Sequence, residues 1–324
     1  MNPCTQVLLD SIIDYAGLFP PAGLPMEEAW KRFLQHRSSD DGWMLARFVC
    51  PAVRLEELES LLAETDDSRV PVSVAVLGRG GDTLDDFLES IDQDAAAVQG
   101  FSVRQQGRAV ADVFEVKLPE TGGAAVAVEK AWRRLNEVGP ASLLPFFEVS
   151  LLGEWRPRLP AAAAAVRDTA RAADRTHRVG LKIRCGGVDA AAIPESMAVA
   201  AAIATCRAVE VPLKATQGLH HPFRHHDTTH DAEVHGFLNL FTASVLAYAR
   251  DLPVTQLAEI VAEMDPAAFV FSADGIGWRD FRASAEEVEA ARSKILTSFG
   301  SCSFSEPRDD LRTLGFLEEG APQE

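Results

Sequence analysis

Eight short apolar runs alternate with stretches of helical periodicity, and this alternation leaves few architectures open. The runs are Met44–Val49, Val72–Leu77, Val98–Val103, Val113–Leu118, Leu143–Val149, Val179–Cys185, Val209–Ala215 and Ala268–Asp274. Helical spacing fills Leu55–Glu64, Thr83–Asp92, Val126–Val138, Leu159–His177, Pro194–Ala208, His235–Arg250, Thr255–Met264 and Ala285–Phe299. Strands separated by helices call for an α/β fold with a parallel sheet, and eight strands close a (β/α)8 TIM-type barrel. The alternative is an open doubly wound sheet, because only nine residues separate the third and fourth runs. On the barrel reading, residues 1–42 form an N-terminal helical extension, 43–300 the barrel and 301–324 a C-terminal tail. A long insertion follows strand seven.

Lysine usage is the second constraint. Of 31 basic residues only six are lysines, yet Lys117, Lys182 and Lys214 each end one of the apolar runs. Desolvation there lowers an ammonium's pKa toward the neutral amine. Residues two apart share a strand face, so Glu115 aligns with Lys117 and Lys182 with Arg184, while Leu181 and Ile183 face the other way. Glu148 ends the fifth run, and Ser272 and Asp274 end the eighth. In a barrel all these polar groups point into the C-terminal mouth, where such folds place their sites. A buried ion-pair layer without chemistry would use the same residues.

A net charge of −17 argues against nucleic acid or an anionic membrane as partner, while local cations still admit a small anionic substrate. The N-terminus lacks a signal-peptide pattern, and no run reaches the roughly 18 apolar residues of a membrane helix. Five scattered cysteines fit reduced thiols. The expectation is a cytoplasmic protein. Self-association is common for barrels of this size.

Leu143-Leu144-Pro145-Phe146-Phe147-Glu148, Leu181-Lys182-Ile183-Arg184-Cys185-Gly186-Gly187 and Leu213-Lys214-Ala215-Thr216-Gln217-Gly218 resemble the fifth, sixth and seventh strands of class I aldolases of the deoxyribose-phosphate aldolase type. The similarity spans roughly residues 143–274. It implies a barrel lyase in which Lys182 forms the Schiff base and Lys214 perturbs it. Where that family's fourth strand offers an acidic relay residue, this chain has Lys117. The segment Asp14–Pro21 is foreign to that family and resembles a motif of bacterial proteins of unassigned function.

The residues themselves favour the same chemistry. An amine attacks a carbonyl only when unprotonated, and both burial and neighbouring cations such as Lys214 and Arg184 depress Lys182. Glu148 is the first candidate for acid/base work, with Asp274 second. Lys117 and Arg184 would hold a substrate carboxylate or phosphate.

Six of the eight histidines lie between His220 and His235, interleaved with Asp227, Asp231 and Glu233. Spacings such as His221-x3-His225 and His226-x3-His230 permit ligation, although Pro222 argues against a helix presenting them. His220 and His221, directly after strand seven, are candidate substrate contacts together with Ser272 and Asp274. The chemistry requires no cofactor; any bound metal is expected on His220 and His221. The competing functions are a metal-dependent hydrolase or isomerase using this segment, and a noncatalytic anion-binding barrel.

Overall fold

The computed structural model describes residues 1–65, 71–172, 179–229 and 231–318. The chain opens with helix α1 (Pro3–Leu9) and strand β1 (Ile13–Tyr15), then α2 (Met26–Arg37), β2 (Leu45–Pro51), α3 (Leu55–Glu64), β3 (Val72–Leu77) and α4 (Leu84–Gln105). It continues through β4 (Ala109–Lys117), α5 (Ala124–Val138), β5 (Leu144–Glu148), α6 (Trp155–Ala172), β6 (Gly180–Arg184), α7 (Ser196–Val209) and β7 (Leu213–Thr216). The insertion holds β8 (His225–Asp227) and β9 (Ala232–Val234), followed by α8 (Phe237–Ala249) and α9 (Val254–Ala262). Then come β10 (Phe269–Ser272), β11 (Gly275–Trp278), β12 (Phe281–Ser284), α10 (Ala285–Lys294), β13 (Leu296–Ser301) and α11 (Ser305–Thr313).

Eight of these strands close a parallel barrel in the order β1-β13-β7-β6-β5-β4-β3-β2. Closure comes from β1, which pairs Ile13 with Phe299 of β13 on one side and with Leu45 of β2 on the other. The expected barrel is present, but two of its strands differ from those the sequence suggests. Val98–Val103 lies inside α4, which buries Phe87, Ile91, Ala95, Val98 and Phe101. That spacing lines one helix face, so the apolar cluster is explained by a period of 3.6 rather than 2. The continuous helix also supplies the crossover that nine residues could not.

Ala268–Asp274 is likewise outside the barrel. It enters a separate antiparallel sheet, β10-β11-β12, in which Ser272 faces Gly275 across a tight turn containing Asp274. The missing members are β1, too short to show periodicity, and β13. The helix expected over Ala285–Phe299 stops at Lys294, and Leu296–Ser301 is extended. Along β13, Phe299 stacks outward on Phe237 with ring centroids 4.9 Å apart, while Ser298 turns to the opposite face. The barrel therefore begins within residues 1–42 and ends at Ser301.

Helix α7 and the turn before it, Ala190–Val209, are long and apolar enough by composition to cross a membrane. Here Ala198, Val199, Ala202, Ile203 and Cys206 are buried in the protein's own core. Inside the barrel a small apolar cluster of Val49, Ala75, Val113 and Phe146 fills part of the lumen, with Ala16 and Phe19 against it. Gly180 makes room for it: a Cβ there would sit 2.3 Å from the Phe146 ring and 2.9 Å from the Pro212 carbonyl.

Candidate active site

Strand register sets up the polar part of the lumen. Lys117 pairs with Glu148, Glu148 with Lys182 and Lys182 with Lys214, a single row across β4, β5, β6 and β7. Partners in a parallel ladder share a face, so all four side chains start on the inner face. Three of them stay inside: Glu148 is 4% exposed, Lys182 3% and Lys214 1%. Such burial is tolerable only with opposite charge at hand.

That charge comes from across the barrel. Glu115 of β4 lies 2.7 Å from Lys182 Nζ through Oε2 and 2.5 Å from Lys214 Nζ through Oε1. The second contact is one of charge rather than a well-directed hydrogen bond. Because β4 and β7 are not neighbours, it runs through the lumen. Glu148 Oε2 stands 3.1 Å from Lys182, and its Oε1 receives Arg184 Nε at 2.8 Å. Lys214 donates to Asp14 Oδ2, which also accepts from Ser298 Oγ at 2.5 Å. Asp14 Oδ1 faces Arg47 at 3.4 Å, and Arg47 grips Asp112 through two bonds of 2.8 Å. Four cations and four carboxylates thus form one network among the described residues.

The balance of forces on Lys182 reverses the expected direction. Burial pulls its pKa down, but Glu115 and then Glu148, by charge and hydrogen bonding, hold it above the ordinary lysine value. Burial likewise opposes ionisation of Glu115; Lys182 and Lys214 outweigh it and hold that carboxyl at about 2. The resting site is an ammonium between carboxylates. Neighbouring cations alone would depress Lys182; Glu115 and Glu148 reverse the sign.

The remaining candidates separate by position. Lys117 sits at the rim, half-exposed, with Glu120 at 3.3 Å. Arg184 is also half-exposed and bridges the rim to Glu148. His220 and His221 follow β7, but each pairs with a carboxylate of α11, Glu306 at 2.8 Å and Asp310 at 2.5 Å. Ser272 hydrogen-bonds the Gly275 carbonyl, and with Asp274 it belongs to the outer antiparallel sheet, not to the mouth. His226 faces Asp231 and Glu233, and His230 lies outside the described residues. Among the described residues no three His, Cys, Asp or Glu side chains are placed to hold a metal ion.

Glu115 and Asp14 are the residues sequence reasoning left out of the site. Glu115 was within reach, since it shares the parity of Lys117 on β4. Asp14 had weaker signals: an unassigned motif and two isoleucines before it.

No family model and no curated protein matches the sequence. The chain is similar to a solved structure of lysine/ornithine decarboxylase complexed with cadaverine from Vibrio vulnificus, at 15% identity and a TM-score of 0.39. The alignment covers 92% of this chain and 58% of that one, so the chain spans less than two thirds of its length. A likeness this distant bears on neither substrate nor chemistry, and none of the comparisons links the chain to aldolases.

Proposed function

We propose that this barrel is a lyase that forms a Schiff base between Lys182 and a small anionic carbonyl compound. The observation that carries the reading is the pair of carboxylates, Glu115 and Glu148, on one buried lysine whose second neighbour, Lys214, shares Glu115. An iminium on Lys182 is cationic, as the ammonium is. A site built to stabilise a cation at Nζ stabilises that intermediate in the same place.

The raised pKa then demands a route for the proton. Glu148 supplies it, because Arg184, which holds its other oxygen, is half-exposed at the rim. A substrate anion competes for Arg184 and for Lys117. With Arg184 drawn to the substrate, Glu148 Oε2, 3.1 Å from Lys182 Nζ, takes the proton from that amine. The free amine adds to the carbonyl carbon, a proton passes from the now cationic Nζ to the alkoxide oxygen, and the carbinolamine loses water as Glu148 returns its proton to the leaving hydroxyl. The iminium accepts electrons from the adjacent bond, which permits carbon–carbon cleavage.

The rival anion-clamp reading fits less well, since Lys182 and Lys214 are already neutralised by Asp14, Glu115 and Glu148. A cytoplasmic setting belongs to the proposal, supported by five unpaired, buried cysteines. Borohydride reduction in the presence of small aldehydes and keto acids tests the central step. It should leave a stable mass increase on the peptide containing Lys182, absent in Lys182→Ala. An adduct missing altogether, or spread equally over Lys31, Lys130 and Lys294, rejects the mechanism.

A further inference from the structure

Strands β7 and β13 are neighbours in the barrel, so the loops that leave their C-terminal ends meet. One carries His220, and the other carries Cys302 and leads into α11 with Glu306 in its first turn. His220 Nδ1 lies 2.8 Å from Glu306 Oε2, and its Nε2 lies 3.9 Å from Cys302 Sγ. The carboxylate keeps the imidazole proton on Nδ1 and leaves Nε2 bare toward the sulfur. This is the order nucleophile, base, orienting acid.

Among the described residues Cys302 is the one cysteine with an imidazole in reach. It is 8% exposed, against 2% or less for Cys4, Cys50, Cys185 and Cys206. Burial pushes the Cys302 thiol up; the main-chain N–H of Ala22 favours the thiolate, the Glu306 charge opposes it, and the residue's own N–H again favours it. A thiol that stays protonated at rest needs a base beside it, and His220 is that base.

We infer that Cys302, His220 and Glu306 form a nucleophilic thiol centre at the barrel mouth that adds to the carbonyl carbon of a small aldehyde. His220 Nε2 takes the Sγ proton as sulfur attacks; the C–S bond forms while the carbonyl π bond breaks. The alkoxide oxygen then takes the proton back from His220, giving a hemithioacetal with no leaving group. The class of electrophile rests on the function proposed above, whereas the nucleophilicity of the thiol does not.

Iodoacetamide labelling of the full chain with peptide mapping tests the thiol. Cys302 should label fastest of the five cysteines, and His220→Gln should slow it about 100-fold, the lower range of a general base's contribution. Glu306, a positioning residue, should slow labelling severalfold as Glu306→Gln, with recovery in Glu306→Asp. Circular dichroism of each variant separates lost folding from lost reactivity. A folded His220→Gln protein that labels at the wild-type rate overturns the centre. Glycolaldehyde should then protect Cys302 equally in the wild type and in Lys182→Ala. Protection that disappears with Lys182 means the thiol was merely shielded by an adduct on the lysine, and overturns the hemithioacetal while leaving the Schiff base standing.

Discussion

Glu115 of β4 reaches Lys182 of β6 at 2.7 Å and Lys214 of β7 at 2.5 Å, so one buried carboxylate is shared by two cations from other strands. Removing its charge without changing its shape leaves both ammonium groups short of a partner. Glu115→Gln is expected to destabilise the protein by about 3–5 kcal/mol, the range for breaking a buried pair. Urea unfolding at pH 7 measures it; an unmoved midpoint would show that the network contributes little to stability.

Acid should lower the protein's stability over two pH windows. His36 and His235 are held at about 4, chiefly by burial, below the free value of 6.5. Their contribution is complete above pH 6.5 and is lost as pH falls toward about 4, where the unfolded chain binds protons that the fold refuses. Glu115, depressed from 4.5 to about 2, contributes fully above pH 4.5 and loses its share on the way down to about 2. Stability measured against pH should therefore be shallower below pH 4.5 in Glu115→Gln than in the wild type. Parallel curves would count against the depressed carboxyl.

Lys182 is raised, so its stabilising share persists at neutral pH and is lost only as pH climbs past the free lysine value toward the higher folded one. Lys214→Met frees the shared Glu115 for Lys182 alone and raises Lys182 further. Borohydride trapping on Lys182 should then move to higher pH. A shift to lower pH would contradict the sharing.

Arg184 should matter for charged substrates only. In Arg184→Ala, the glyoxylate concentration for half-maximal trapping should rise about tenfold, the worth of one charge-assisted hydrogen bond. The value for glycolaldehyde should hold. Equal changes for both aldehydes would remove Arg184 from anion binding.

Gly180→Ala places a methyl group 2.3 Å from the Phe146 ring and 2.9 Å from a main-chain carbonyl. The variant should lose about 1–3 kcal/mol through overpacking of the lumen. Thermal unfolding at neutral pH gives the number, and an unchanged transition would mean that Phe146 has room to move.

The alternation of strand and helix, the barrel it implies and the inward parity of Lys182, Lys214 and Glu148 were legible because each is a local pattern of period 2 or 3.6. The same locality misled at Val98–Val103, where a window of six residues held the end of a much longer helical face. It also hid β1, whose three residues carry no period at all. The acid on the fourth strand was overlooked because Lys117, rather than its face-mate Glu115, occupied the strand end.

What the sequence by itself determined is that two lysines sit at the ends of adjacent buried strands, since apolar neighbours on each side leave them nowhere else to go. Their charge state was decided by the tertiary structure. Burial alone predicts a depressed Lys182, and only barrel closure brings in Glu115 from two strands away to reverse the sign. Lys214 and Asp14 lie 200 residues apart and meet because β1 seals the sheet against β13. Coulomb attraction acts through space, and no period along the chain encodes which charges the fold will place face to face.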